Sequence, residues 1–191
     1  VRTTVLLDGW LPSSIGHLTP LGKLESGDVS RVQLAATRPA DPALIVFTSG
    51  AARTMRAVLL DHGTLIAQVE ATRRARWIAD AELVLASDLR HALLMLALGA
   101  SVVLPRCAAS GRRSADRLVG CIDAQGASTV IGSPTTWRAV ADHCVKEGRM
   151  LPSVRQILLA GGQTNLATHR SIARVLPSGE VRAVYGTTEA F

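Results

Sequence analysis

Short apolar runs rich in β-branched residues recur along this chain, each followed by a longer stretch of helical character. That alternation constrains the fold more than any other feature. Strands are predicted at 43–48 (ALIVFT), 82–87 (ELVLAS), 100–105 (ASVVLP), 128–133 (STVIGS), 154–162 (VRQILLAGG) and 180–186 (EVRAVYG). Between them, helices are expected at 62–77, 89–99, 113–124, 134–146 and from an Asn165 cap to about 175. Pro134 suits a first helical turn, and Gly99 suits a left-handed helix end. Leu65, Ile66, Val69 and Ala71 are expected on the inner face of the first helix, and Leu118, Cys121 and Ile122 on that of the third. Strands of four to six residues alternating with helices imply an α/β fold, a mostly parallel sheet flanked by helices.

The first 40 residues break this pattern. Their turn formers (LPSSIGHLTPLG, LESGD, TRPADP) predict a loop-rich lead-in over 1–40, ahead of an α/β unit over 41–191. A chain of 191 residues supports one substantial core, and with aromatics at 3% that core is built from Ala, Leu, Val and Ile. The longest apolar run, 92–104, is too short to span a membrane, and the first ten residues lack the form of a secretory signal. Cys107, Cys121 and Cys144 lack metal-ligand spacing and are expected as reduced, buried or half-buried thiols, which fits a cytoplasmic location.

The net charge of +6 raises the question of a polyanionic partner. Its densest contributors are RRAR at 73–76 and GRRSADR at 111–117, neither interleaved with aromatics. A solvated basic surface is the first reading and a polyanion-binding patch the alternative. A nucleic-acid-binding module is not expected.

In open α/β sheets, ligands bind beyond the carboxyl ends of the strands. Three predicted strands end in loops of suggestive chemistry. Thr48, Ser49 and Gly50 offer two hydroxyls and a close backbone approach suited to phosphate oxygens, without forming a Walker loop. Gly161, Gly162 and Gln163 make a bare turn against which a flat ring can lie. Tyr185 can stack, Gly186 permits close approach, Thr187 and Thr188 carry hydroxyls, and Glu189 is a hard oxygen ligand for Mg²⁺. Three such loops fit one nucleotide with magnesium better than three unrelated turns.

In this order and spacing the loops resemble those of the adenylate-forming enzymes: acyl-CoA synthetases, luciferases and peptide-synthetase adenylation domains. The likeness runs from Asp41 to Phe191, through TSGAARTMRAV with the following HGTL, then AGGQT, then YGTTE. IGSPTTWRAVADHCVKEGRMLPSVRQILLAGG is most similar to the branch of long-chain acyl-CoA ligases and olefin β-lactone synthetases.

The resemblance implies part of the large N-terminal domain of such an enzyme, acting on ATP and a fatty or β-hydroxy fatty acid to form an acyl-adenylate and pyrophosphate. CoA, a carrier protein or an internal hydroxyl would then accept the acyl group. It implies further that Thr48, Ser49 and Gly50 cradle the β/γ-phosphates and that Gly161, Gly162 and Gln163 line the adenine slot. Tyr185 would stack on the ring, flanked by Gly186 and Thr187. Thr188 would contact a phosphate and Glu189 would hold Mg²⁺, the two catalytic assignments.

The phosphate loop departs from the family pattern. Ala51 and Ala52 stand at hydroxyl positions, Arg53 at a glycine, Met55 at a proline and Arg56 at the lysine. Arginine keeps the charge of lysine but not its shape. The stretch 85–94 lacks the aromatics that often border the family's acyl site. A ribose-binding aspartate, a hinge and a lysine-bearing C-terminal domain are not expected after Phe191, and a large N-terminal portion is also expected to be absent, leaving a sheet edge exposed. The expectation is therefore weak or no adenylation by this chain alone. The alternative is a non-catalytic nucleotide- or acyl-binding module working with a complementary chain or second domain.

Overall fold

The computed structural model describes residues 4–6, 18–20, 36–48, 56–78, 82–105 and 112–186. The chain divides into two compact units, Val1–Thr37 and Arg38–Phe191. In the first, β1 (Thr4–Leu6) pairs in parallel with β2 (Leu18–Pro20).

The second unit opens with a hairpin. β3 (Pro42–Phe47) runs antiparallel to β4 (Ala57–Asp61), with Ile45 opposite Leu59 and Phe47 opposite Ala57. This corrects two expectations. AVLLD forms a strand that the sequence reading did not anticipate, and 43–48 does not join the parallel sheet. The physical reason is connection length: a short link returns a strand antiparallel, whereas a parallel pair needs a crossover. The strand after β3 is therefore its hairpin partner β4, and the first helix follows β4.

α1 (His62–Arg74) follows at once, with Asp61 accepting from the Thr64 amide at 2.7 Å as its cap. It ends three residues earlier than expected. Arg76 adopts φ +51°, a left-handed conformation that closes the helix. Leu65 and Val69 are half-buried as expected, but Ile66 and Ala71 are exposed. The helix rotates its i, i+3 and i+4 positions inward, and these two lie off that stripe.

The remaining elements alternate as the pattern requires: β5 (Leu83–Ala86), α2 (Leu89–Ala97), β6 (Ser101–Val103), α3 (Arg112–Gln125), β7 (Thr129–Gly132), α4 (Pro134–Lys146), β8 (Gln156–Leu159), α5 (Leu166–Ala173) and β9 (Glu180–Ala183). They build one five-stranded, wholly parallel sheet in the order β6-β5-β7-β8-β9. β7 and β8 are buried along their whole length, so both faces must be covered. Leu85, Val130, Ile157 and Leu159 point to the face covered by α3, α4 and α5, where Trp137, Ile122 and Ile172 complete the core. Val84, Ala86, Ile131 and Leu158 point to the other face, against Ala92 and Met95 of α2. The period of two along each strand thus sorts one apolar run into two cores.

The strand order reverses direction at β5. From β5 the chain steps outward to β6 through α2, then returns past β5 to β7 through α3, and continues to β8 and β9. The switch point of this α/β sheet lies between the carboxyl ends of β5 and β7. In such sheets a crevice for ligands forms there.

Candidate functional site

Backbone bonds carry the parallel ladder one residue past the strands and line up the carboxyl rim. The Ser87 amide donates to the Ile131 carbonyl at 2.9 Å, Ala160 to Gly132 at 2.9 Å and Val184 to Leu159 at 2.8 Å. Ser87, Ser133, Gly161 and Tyr185 follow directly, so residues far apart in sequence share one edge. Three helices start on this rim, each capped by a side chain: Asp88 for α2, Ser133 for α4 and Asn165 for α5. Their amide-rich ends face the crevice.

The glycine turn is built for close approach. Gly161 has φ +75°, and a β-carbon there would sit 3.6 Å from an Arg90 guanidinium nitrogen. A β-carbon on Gly162 would lie 3.3 Å from Cδ of Pro134, the first residue of α4. Gln163 beside them is exposed. On the adjoining strand end Tyr185, the sole tyrosine, is 91% exposed and takes no part in the core. Gly186 is half-buried next to it. Pairing of β8 with β9 therefore brings Gly161, Gly162 and Gln163 into one neighbourhood with Tyr185 and Gly186.

Thr48 and Arg56 meet at the mouth of the hairpin. The Thr48 amide donates to the Arg56 carbonyl at 2.9 Å, and the Arg56 amide donates to the Thr48 hydroxyl oxygen at 3.0 Å. One lone pair of that hydroxyl is thereby engaged in closing the hairpin, while its proton and other lone pair stay available. Ser49, Gly50, Thr187, Thr188 and Glu189 lie outside the described residues. Among the described residues no group of three or more His, Cys, Asp or Glu could hold a metal ion.

The sequence reading missed the segment at the switch point. Asp88 accepts from the His91 amide at 3.1 Å through one oxygen and meets His91 Nδ1 at 2.5 Å through the other, with His91 itself 1% exposed. Burial works to raise the Asp88 pKa, but hydrogen bonds from His91 and the charges of His91 and Arg90 outweigh it and hold the carboxyl below its ordinary value. Arg90 reaches both the glycine turn and a neighbouring apolar cavity. It stands over Gly161 and lines that cavity of about 120 Å³ between the hairpin, α1 and α2, with Leu44, Leu60, Val69 and Leu93. The available signal was a strand run ending in Ser87–Asp88 just before a helical stretch, the pattern of a capped helix entry at a sheet rim.

Of the cysteines, Cys144 is buried, and burial pushes its thiol pKa up, while Cys121 is half-buried. Both are free thiols, as expected; Cys107 lies outside the described residues. No helix among the described residues is long and apolar enough to cross a membrane.

Comparison with known proteins places this chain in a family. The profile of the AMP-binding enzyme family matches residues 2–191. The chain is 31% identical over 175 residues to an olefin β-lactone synthetase of Stenotrophomonas maltophilia, a match covering 90% of this chain and 31% of that protein. It is 36% identical over 92 residues to a long-chain-fatty-acid–CoA ligase of Thermus thermophilus, covering 48% of this chain and 16% of that one. Among solved structures, CmiS6 superposes with a TM-score of 0.71 at 25% identity, over 95% of this chain and 45% of its own. The chain spans about a third of the length of the β-lactone synthetases it matches. With its parallel sheet, its glycine turn and the reach of the family profile, this chain belongs to the AMP-binding enzyme family.

Proposed function

We propose that the chain is the nucleotide-binding part of an enzyme that activates a fatty or β-hydroxy fatty carboxylate with ATP as an acyl-adenylate. The observation that carries this reading is the pairing of an exposed Tyr185 with the bare Gly161–Gly162 turn on one sheet rim. A purine needs one face to stack on and a backbone it can approach closely, and this pair offers both. Tyr185 stacks on the ring, the glycine turn with Gln163 and Gly186 borders it, and Thr48, Ser49, Gly50 and Arg56 hold phosphate oxygens. Thr187 and Thr188 lend hydroxyls to the phosphates, and Glu189 holds Mg²⁺. Magnesium held by Glu189 would supply neutralisation of phosphate charge. CoA, or another acceptor, takes the acyl group afterwards.

The same reading gives this chain weak activity or none on its own. Arg53 and Arg56 stand where the family pattern has a glycine and a lysine: a side chain at the glycine position hinders close backbone approach, and arginine does not reproduce the compact point charge of lysine. That alteration also favours the second reading, a module that binds nucleotide or acyl ligand without turnover and works with a complementary domain. ATP–pyrophosphate exchange across a panel of fatty and β-hydroxy fatty acids, alongside calorimetric titration with ATP and AMP, separates the two. Binding with slow exchange supports the first reading and binding with none the second. Absence of nucleotide binding refutes both.

A further inference from the structure

The RRAR stretch at 73–76 gains further arginines from distant parts of the chain. Arg73 and Arg76, at the end of α1, line a cleft of about 710 Å³ together with Arg155, just ahead of β8, and Arg182 within β9. Glu82, Gln156 and Glu180 mark its place at the amino ends of β5, β8 and β9. This is the opposite edge of the sheet from Gly161 and Tyr185.

Two carboxylates line the cleft, and both are already engaged. Glu82, its side chain 8% exposed, accepts from the Ser128 hydroxyl at 3.0 Å and lies 3.9 Å from Arg155. Glu180 accepts from the Gln156 amide at 3.2 Å and pairs with Arg182 at 2.6 Å. Guanidiniums still outnumber carboxylates two to one. Arg155, Arg182 and Glu180 are solvent-facing while Glu82 is buried, so an incoming anion competes for guanidiniums on their exposed side.

Arg76 is the informative member. It occupies the position after the helix cap, at φ +51°, where glycine fits without strain. A cation near a helix C-terminus is favourable, but Arg73 and Arg74 already serve the last turn of α1. Arg155 and Arg182 belong to other elements, so the dipole of α1 does not account for the convergence.

We propose that this cleft binds a small phosphate-bearing anion, its phosphates held by Arg76, Arg155 and Arg182 and its ring or chain resting on Trp77 and Leu98. Forked guanidiniums match phosphate oxygens pairwise, and Trp77 and Leu98 supply the one apolar wall. Convergence on a single cleft suits a compact ligand, whereas a nucleic acid needs a track of charge along a surface. This inference does not depend on the nucleotide reading of the other rim.

Calorimetric titration of the 191-residue chain with inorganic tripolyphosphate and with orthophosphate, at low ionic strength, tests it. Saturable binding is expected, tighter for tripolyphosphate and weakened about tenfold by either Arg76→Gly or Arg155→Gln. Arg76→Gly removes the charge where glycine is at ease, so its urea midpoint does not fall and loss of binding is not loss of fold. Arg138→Ala, an exposed arginine outside the lining of this cleft, leaves this binding unchanged. The proposal is overturned if no saturable binding occurs, or if binding survives both cleft variants or weakens equally in Arg138→Ala. It is equally overturned if random duplex DNA binds more tightly than tripolyphosphate with the same arginine dependence.

Discussion

The side chain of Ser87 fills the space that a β-carbon on Gly132 would need, with Oγ 1.9 Å and Cβ 2.8 Å from that point. The two residues end the neighbouring strands β5 and β7 at the switch point, so the sheet closes there only with glycine. Rotation can move the hydroxyl aside but not the Ser87 β-carbon. Gly132→Ala is expected to destabilise the fold by about 1–3 kcal/mol, as overpacking does. Urea unfolding measures it, and adding Ser87→Gly recovers most of the loss.

Tyr185 reports on function without reporting on stability. Because its ring is almost wholly in solvent, Tyr185→Ala is expected to change unfolding free energy by no more than about 0.5 kcal/mol. Loss of stacking on a purine weakens nucleotide binding about tenfold. Calorimetry and urea unfolding on the same preparation check both halves.

Asp88 gives the α2 cap a defined acid dependence. Its carboxyl is held below the ordinary value of 3.8, so the folded state binds its proton more weakly than the unfolded chain. The stabilisation is fully present above that ordinary value and is lost as pH falls through the lower folded value. Asp88→Asn keeps a capping side chain but abolishes this part of the acid dependence, whereas Asp88→Ala also loses about 1 kcal/mol at neutral pH. Unfolding curves from neutral pH down to about pH 3 separate the two variants.

If the altered phosphate loop is what limits turnover, repairing it raises turnover. Arg53→Gly combined with Arg56→Lys is expected to increase ATP–pyrophosphate exchange by at least about tenfold, by returning close backbone approach and a compact ammonium to the phosphates. An unchanged rate assigns the limitation elsewhere.

Much of the sheet was legible because local and global signals agreed. Pro134 predicted the start of α4 as found, and Asn165 the cap of α5. Val130, Ile131, Ile157 and Leu158 spelled strands buried on both faces. The hairpin was not legible. AVLLD is five residues long and abuts the α1 cap at Asp61, so no turn residue separates strand from helix. The end of α1 was hidden because a left-handed arginine carries none of the usual glycine signal. At the site, the glycine turn and Tyr185 could be read from their residue types. The positions of Asp88, Arg90 and His91 could not, since they depend on the strand order reversing at β5. The cleft arginines come from three separate elements, and only Arg73 and Arg76 adjoin in sequence.

The central claim is that the rim formed by Gly161, Gly162 and Tyr185 holds a nucleotide. Calorimetric titration of ATP into the wild-type chain and into Gly162→Val tests it most directly, because a side chain there meets Pro134 on one side and fills the proposed adenine slot on the other. The account predicts saturable ATP binding by the wild type and at least about tenfold weaker binding by Gly162→Val under conditions where urea unfolding shows the variant folded. Equal affinity in both proteins, or no binding by the wild type, would contradict it.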